Sequence, residues 1–338
     1  MRSTKVEQEL QRSLSQLFLK RGKVWEDGLL ADLPKKWEKH GDLILFSHTS
    51  FSNPAWKNLD QNEFWTCVAE VFKVKRIAKQ HVICPDGVRT PTVVLVLGKE
   101  TWVTHIDNKI RYSFDVTKCM FSSGNITEKI RMSKLKCKDE IVVDMFAGIG
   151  YFTLPLLVHG KAKFVHACEW NPNAVQALRC NLHDNKVADR CQIYEGDNRE
   201  VCPKGVADRV LLGLIPTAKD SYHAACQAVN SETGGILHIH CNVTSSGITC
   251  NDISEADFNL YNYYNVSNIS CNKQLRSEWL VWAKKTADDI SAILEEQQCR
   301  TSNKWTIQLL HIERVKSYAP HIDHLVLDLQ LNPFCSPE

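Results

Sequence analysis

From Lys138 onward, apolar runs of about five residues alternate with helical stretches, and this rhythm limits the fold more than any other feature of the sequence. The runs are Ile141–Met145, Lys163–Cys168, Gln192–Tyr194, Arg209–Gly213 and Ile236–Cys241; the helices between several of them are Tyr151–Val158, Pro172–Asp184 and Lys219–Asn230. A continuous apolar run, as opposed to strict in-out alternation, belongs to a strand covered on both faces. Strands of that kind linked by helices build a mostly parallel α/β sheet of Rossmann-like type. A long helix over Leu275–Gln298 follows, then strands Trp305–Ile312 and His321–Leu331. Lys316-Ser-Tyr-Ala-Pro320 reads as a short turn between them, which predicts an antiparallel terminal hairpin.

At roughly 100–200 residues per domain, 338 residues suggest two domains. Residues 1–40 form a helical segment, with Leu10, Leu14, Leu17 and Phe18 at helical spacing. Residues 41–138 read as a smaller α+β domain, with strand-like runs at Leu43–Phe46, Val93–Leu97 and Lys109–Phe114. Residues 139–331 read as the larger α/β domain, interrupted by an irregular Asn-, Ser- and Tyr-rich insertion at 242–275, and 332–338 read as a tail. No apolar run approaches the roughly 18 residues of a membrane helix, and Met1–Lys20 is too polar for a signal peptide. The closest of the 14 cysteines, Cys241 and Cys250, are nine apart and no CxxC occurs, so reduced thiols in a cytoplasmic or nuclear compartment are expected.

The chemistry-bearing motif is Asp144-Met-Phe-Ala-Gly148-Ile-Gly150-Tyr-Phe152, directly after the strand Ile141-Val-Val. A strand, a Gly-rich turn and a helix start let backbone approach a ligand closely. Tyr151-Phe152-Thr153 stand where a dinucleotide fingerprint needs its third glycine, so a pyrophosphate ligand is disfavoured. Glu169 ends the next strand, where a carboxylate can hold both ribose hydroxyls, and Asp197-Asn198 follow the third, where they can read an adenine edge. Acidic positions at three successive strand ends point to a nucleoside-type cofactor.

Those residues, with Cys168-Glu-Trp-Asn-Pro172, resemble the class I S-adenosylmethionine-dependent transferase fold. The upstream stretch Phe114-Asp-Val-Thr-Lys118 and Phe121-Ser-Ser-Gly-Asn-Ile-Thr-Glu-Lys-Ile-Arg131 resembles the family of the archaeal-eukaryotic tRNA guanosine-37 N1-methyltransferases and their wybutosine-synthesizing relatives. The methyltransferases carry Asn-Leu-Pro after the fourth strand. Here the chain reads Leu212-Gly-Leu-Ile-Pro216, and Gly234-Gly-Ile-Leu-His-Ile-His240 follows; both resemble the wybutosine branch. That resemblance implies transfer of the 3-amino-3-carboxypropyl group of S-adenosylmethionine to a tricyclic guanine derivative at position 37 of phenylalanine tRNA. The alternatives are N1-methyl transfer to guanosine 37 and a non-catalytic RNA-binding protein on the same fold.

The resemblance implies cofactor contacts from Ser122, Lys129, Asp144, Phe146, Ala147, Gly148, Gly150, Glu169, Asp197, Asn198 and Pro216. It aligns Glu128 with the general base of the methyltransferases and offers Lys118 and Arg131 to tRNA phosphate or the cofactor carboxylate. No metal is expected, since no third ligand joins His238 and His240, which alternate on one strand face. Trp279 and Trp282 read as core, and Tyr261, Tyr263 and Tyr264 as weak candidates for base stacking. The net charge of +2 speaks against a nucleic-acid partner only until it is divided: residues 73–136 hold thirteen Lys+Arg against five Asp+Glu, a local +8. A monomer is expected. Residues 1–40 alone precede the mixed domain, so the extra tRNA-elbow domain of the methyltransferases is expected to be absent or truncated.

Overall fold

The apolar runs of the second half become strands of one eight-stranded sheet, in a computed structural model that describes residues 5–26, 28–81, 91–121, 123–245, 269–298 and 304–334. Two compact units divide the chain, Met1–Ser123 and Gly124–Glu338. The composition change seen in the sequence falls later, at Lys138. The helix that carries Glu128, Lys129 and Arg131 therefore belongs with the second unit, where it buries Glu128, Lys129 and Met132.

In the first unit, α1 (Lys5–Lys20) buries Leu10, Leu14, Leu17 and Phe18, the four residues its spacing marks. The short α2 (Gly28–Ala31) leads to β1 (Trp37–His40) and β2 (Leu43–Ser47). α3 (Gln61–Phe72) starts where Asp60 accepts from the Glu63 amide and stops where Lys73 turns left-handed at φ 52°. β3 (Arg76–Gln80) and β4 (Val93–Leu97) complete a four-stranded sheet, and β5 (Trp102–Asp107) with β6 (Ile110–Asp115) form a separate hairpin. The helix α3 escapes the sequence reading, although Phe64, Trp65, Val68, Ala69 and Phe72 recur at helical spacing and are buried; the short strands β1, β3 and β5 carry little apolar patterning.

The second unit opens with α4 (Ile126–Ser133) and β7 (Ile141–Asp144). α5 is a single turn, Thr153–Pro155, which widens into a π-helical turn over Leu156–Gly160; Pro155 has no amide to donate there. β8 (Phe164–Glu169) and α6 (Pro172–Asp184) follow, the helix with Asn171 as its cap and proline at its first position. Then come β9 (Cys191–Glu195), the turn α7 (Asn198–Val201), β10 (Arg209–Leu212), α8 (Tyr222–Ala228), β11 (Gly235–Thr244), β12 (Ser270–Cys271), α9 (Ser277–Gln298), β13 (Lys304–Ala319) and β14 (Ile322–Phe334). Residues 246–268, Tyr261, Tyr263 and Tyr264 among them, lie outside the described residues.

The sheet runs β12-β13-β14-β11-β10-β7-β8-β9. β7 to β11 are mutually parallel, and β14 is antiparallel to both β11 and β13. From β7 the chain winds outward through β8 and β9, then returns to β10 on the other flank. That reversal opens a crevice at the carboxyl ends of β7 and β10, the place where such sheets bind ligands. On one face Leu237, Ile239, Leu325, Leu327 and Leu329 pack with Trp279, Ala283 and Ile290 in one core. Lys316–Pro320 is not the expected turn: β13 runs on to Ala319, and the reversal is Pro320-His321. The polar composition there suggests a loop, but pairing of Lys316 with His324 and Ser317 with Asp323, relieved by bulges, overrides it.

Candidate functional site

The glycines at the crevice are conformational requirements. Gly148 has φ +55° and Gly150 φ +102°, and a Cβ on Gly150 would lie 2.9 Å from Leu154. Asp144, fully buried at the end of β7, accepts from Thr153 Oγ1 at 2.7 Å and from the Phe146 amide at 3.3 Å. It thus ties the strand end to the helix start, with Ala147 buried and Phe146 half-buried between them.

Glu169 stands at the tip of β8. Its Oε2 accepts from the Gly148 amide at 2.7 Å and its Oε1 from the Asn171 amide at 2.8 Å. A carboxylate offers about four acceptor positions. The Gly148 amide closes the glycine turn, the Asn171 and Trp170 amides take further capacity, and the rest is open to a vicinal diol. Burial pushes Glu169 above the usual carboxylate range, against the pull of those backbone donors. Asp197 caps α7 and pairs with Arg199, which holds its carboxyl below the ordinary value. Asn198 is turned inward: its Nδ2 donates to the Met145 carbonyl at 2.9 Å and its Oδ1 accepts from Ser221 at 2.8 Å. The amide that the sequence offers for reading an adenine edge braces the end of β7 against the start of α8.

A chain of buried charge crosses the face of the sheet opposite the leucine core. Glu128 Oε2 and Oε1 accept from Arg131 Nε and Nη2 at 2.8 and 2.7 Å. Arg131 Nη1 donates to Asp328 Oδ2 at 2.6 Å, and Asp328 Oδ1 meets His238 Nδ1 at 2.6 Å. His238 Nε2 lies 2.6 Å from Arg209 Nη1, and Arg209 Nε donates to Glu140 at 2.7 Å. An arginine can only donate, so His238 accepts at Nε2 and is the neutral tautomer carrying its proton on Nδ1 toward Asp328. Burial depresses His238, in agreement. Burial raises Glu128 despite Arg131; in Asp328 the opposite holds, and His238 with Arg131 outweigh burial to keep it well below the usual range.

Arg131 is therefore committed to two internal carboxylates and is not the free cation for phosphate that the sequence offers. Lys129 is buried. Lys118 is exposed and belongs to the first unit; Pro216 is exposed, and its carbonyl accepts from the Asn242 amide at 2.8 Å. Ser122 lies outside the described residues. His238 hydrogen-bonds as expected of a strand histidine, and His240 Nδ1 meets His324 Nε2 at 3.0 Å. Asp328, Arg209, Glu140, Thr153 and Ser221 escape the sequence reading. The one signal for Asp328 is an acid inside the apolar run Leu325-Val-Leu-Asp-Leu-Gln-Leu331.

Comparison with known proteins bears on this arrangement. Residues 19–101 match the TYW2 N-terminal domain and residues 103–255 the TRM5/TYW2 methyltransferase domain. The tRNA wybutosine-synthesizing protein 2 homolog of Rattus norvegicus is 48% identical over 93% of this chain and 74% of its own length. The chain belongs to the tRNA wybutosine-synthesizing protein 2 family. The Danio rerio homolog is also 48% identical, over 97% of this chain and 79% of its own. The crystal structure of P. horikoshii TYW2 in complex with MeSAdo shares 28% identity at a TM-score of 0.65, covering 96% of this chain and 99% of that one. In this member of the wybutosine-synthesizing protein 2 family, no helix among the described residues is long and apolar enough to cross a membrane.

In this family member the end of β7 carries a pH signature. Burial pushes Asp144 from the ordinary 3.8 up to about 6. The folded chain therefore holds this proton more tightly than the unfolded chain. The resulting stabilisation is complete below the unfolded value and is lost as pH rises through about 6. In urea unfolding between pH 4 and 7, Asp144→Asn is expected to gain on the wild type by roughly 2–3 kcal/mol across that window. A pH-independent difference between the two would refute this.

Proposed function

We propose that this chain transfers the 3-amino-3-carboxypropyl group of S-adenosylmethionine to the tricyclic guanine derivative at position 37 of phenylalanine tRNA. The observation that carries the reading is membership of the wybutosine-synthesizing protein 2 family, joined to a glycine turn and the Glu169 carboxylate at the switch point of the sheet. The fit of the cofactor rests on Glu169, whose carboxylate keeps acceptor capacity beside the glycine turn. Glu169 would hold the ribose, Asp197 the adenine edge, and Phe146 would wall the crevice, while Gly148 and Gly150 let the backbone approach. Asp144 and Asn198 keep the turn in place from beneath. When bound, S-adenosylmethionine supplies a sulfonium that activates three carbons; with Cγ in line with the acceptor, the ring carbon would bond to Cγ and lose its proton while the Cγ–S bond breaks and methylthioadenosine leaves.

The loop after β10 lacks the methyltransferase Asn-Leu-Pro, in keeping with this reading. A Cβ on Gly213 would lie 3.1 Å from the Phe152 ring, so a larger residue there would need that ring to shift by a few tenths of an ångström. Glu128 is paired with Arg131 and buried, which suits a positioning or charge-balancing part better than that of a free base. Lys118 and its basic segment would meet tRNA phosphate.

Cofactor labelled either in its methyl or in its aminocarboxypropyl carbons decides the reaction. With tRNA carrying the tricyclic base, label is expected in RNA only from the aminocarboxypropyl position. Methyl label in RNA would refute the assignment in favour of N1-methyl transfer.

A further inference from the structure

Four buried side-chain polar atoms among the described residues have no hydrogen-bond partner: Asn125 Oδ1, Asn242 Oδ1, His324 Nδ1 and Trp279 Nε1. Folded proteins pair roughly 90% or more of such atoms, so each orphan calls for a reason. Two of the four are cross-strand partners, and a third is tied to them through Lys316. His324 on β14 is directly opposite Asn242 on β11 and opposite Lys316 on β13. Residues paired in this way share a face, with their side chains in contact range. Gly124, next to Asn125, is so close to Lys316 that a Cβ on it would lie 2.5 Å from Nζ. Asn125 occupies the N-cap position of α4, yet its side chain makes no cap bond there. His324 turns Nε2 to His240, which leaves Nδ1 as the unpaired end.

The position of the cluster says what it faces. On β11, Asn242 shares a face with His240 and His238 and sits nearest the carboxyl end. The His240 ring rests on Phe152 at 5.2 Å, and Phe152 lies against Gly213 of the loop after β10. Asn242 itself is tied to that loop through the Pro216 carbonyl. Glu169 and Asp197, by contrast, stand at the ends of β8 and β9, on the other flank of the crevice. One flank thus carries the residues suited to a nucleoside, and the opposite flank carries unsatisfied amide and imidazole atoms.

We infer that Asn125, Asn242 and His324 form the subsite that reads the hydrogen-bonding edge of the acceptor base. The inference rests on the transfer to tRNA proposed above and adds the residues that select its acceptor. A fused guanine-type ring presents N–H donors beside carbonyl and ring-nitrogen acceptors. Two carboxamides and an imidazole can answer both. A phosphate can only accept, and would leave the two amide oxygens as unpaired as before. Lys316, opposite His324, adds a donor suited to a carbonyl oxygen on that edge.

The test uses the full chain with Asn242→Leu and Asn125→Leu, and with the alanine versions should either fail to fold. The KM for tRNA bearing the tricyclic base is expected to rise tenfold or more, with calorimetric affinity for S-adenosylmethionine unchanged within twofold. The preference for that tRNA over one with unmodified guanosine at position 37 should fall by a similar factor. Thermal midpoints should stay level or rise, because a buried orphan is removed; a purely structural asparagine would lower them and leave the preference untouched. Unchanged tRNA KM in both variants, or an equal loss of cofactor affinity, would overturn the subsite. Failure of the wild type to transfer the group at all would instead overturn the reaction, and the subsite with it.

Discussion

Replacing Arg131 with leucine should lower the thermal midpoint by roughly 6–20 °C. The substitution leaves Glu128 and Asp328 buried without their shared cation. Removing one partner of a buried ion pair costs about 3–5 kcal/mol. Each kcal/mol moves the midpoint by roughly 2–4 °C in a unit of this size. Arg131→Lys should recover only part of the loss, since an ammonium cannot bridge two carboxylates with the fixed fork that spans them here. Adding Glu128→Gln and Asp328→Asn to Arg131→Leu should restore several degrees, because the cause is uncompensated charge and not lost volume. A drop of under 3 °C in scanning calorimetry would show that this ladder is not the brace its distances indicate.

Glu169→Ala should weaken S-adenosylmethionine by roughly 100-fold or more in calorimetric titration. Hydrogen bonds to a charged group contribute about 1.5–3 kcal/mol each, and two to the ribose would be lost. At about 1.4 kcal/mol per tenfold, the lower bound already passes 100-fold. The turn loses its closure at the same time, since the Gly148 and Asn171 amides both donate to this carboxylate. Asp197→Ala should do less, because that carboxylate is partly exposed and already paired with Arg199. An affinity within threefold of wild type for Glu169→Ala would remove the carboxylate from the binding site.

Local signals carried the parts of the structure that are local. Pro172–Asp184 is a helix over the range its cap and proline announce. The five strand runs from Ile141 to Cys241 are strands, each shifted by one to a few residues at its ends. Position at a strand end draws attention to Glu169, whose carboxylate holds the Gly148 and Asn171 amides. Partnership across the chain is another matter. Arg131 and Asp328 are 197 residues apart, and nothing near Arg131 in the sequence shows that its guanidinium folds inward. Asn198 is a similar case: its place after β9 suggests a ligand contact, but its amide serves Met145 and Ser221. The terminal hairpin was legible as a hairpin and not in its turn, because bulged pairing with an apolar strand prevails over a polar local composition.

The place of β14 in the sheet has a consequence for how the protein is made. β14 lies between β11 and β13, in the interior of the sheet, yet it follows both in the chain and is the last strand among the described residues. Until it emerges from the ribosome, β11 has a long unpaired edge and Arg131 has only one of its two carboxylates. Such distant pairings make folding slow and leave an intermediate with open strand edges. Synthesis of this chain should therefore pass through a late, aggregation-prone stage that ends only when residues 322–334 dock, and chaperone dependence should be greatest for nascent chains halted just short of them.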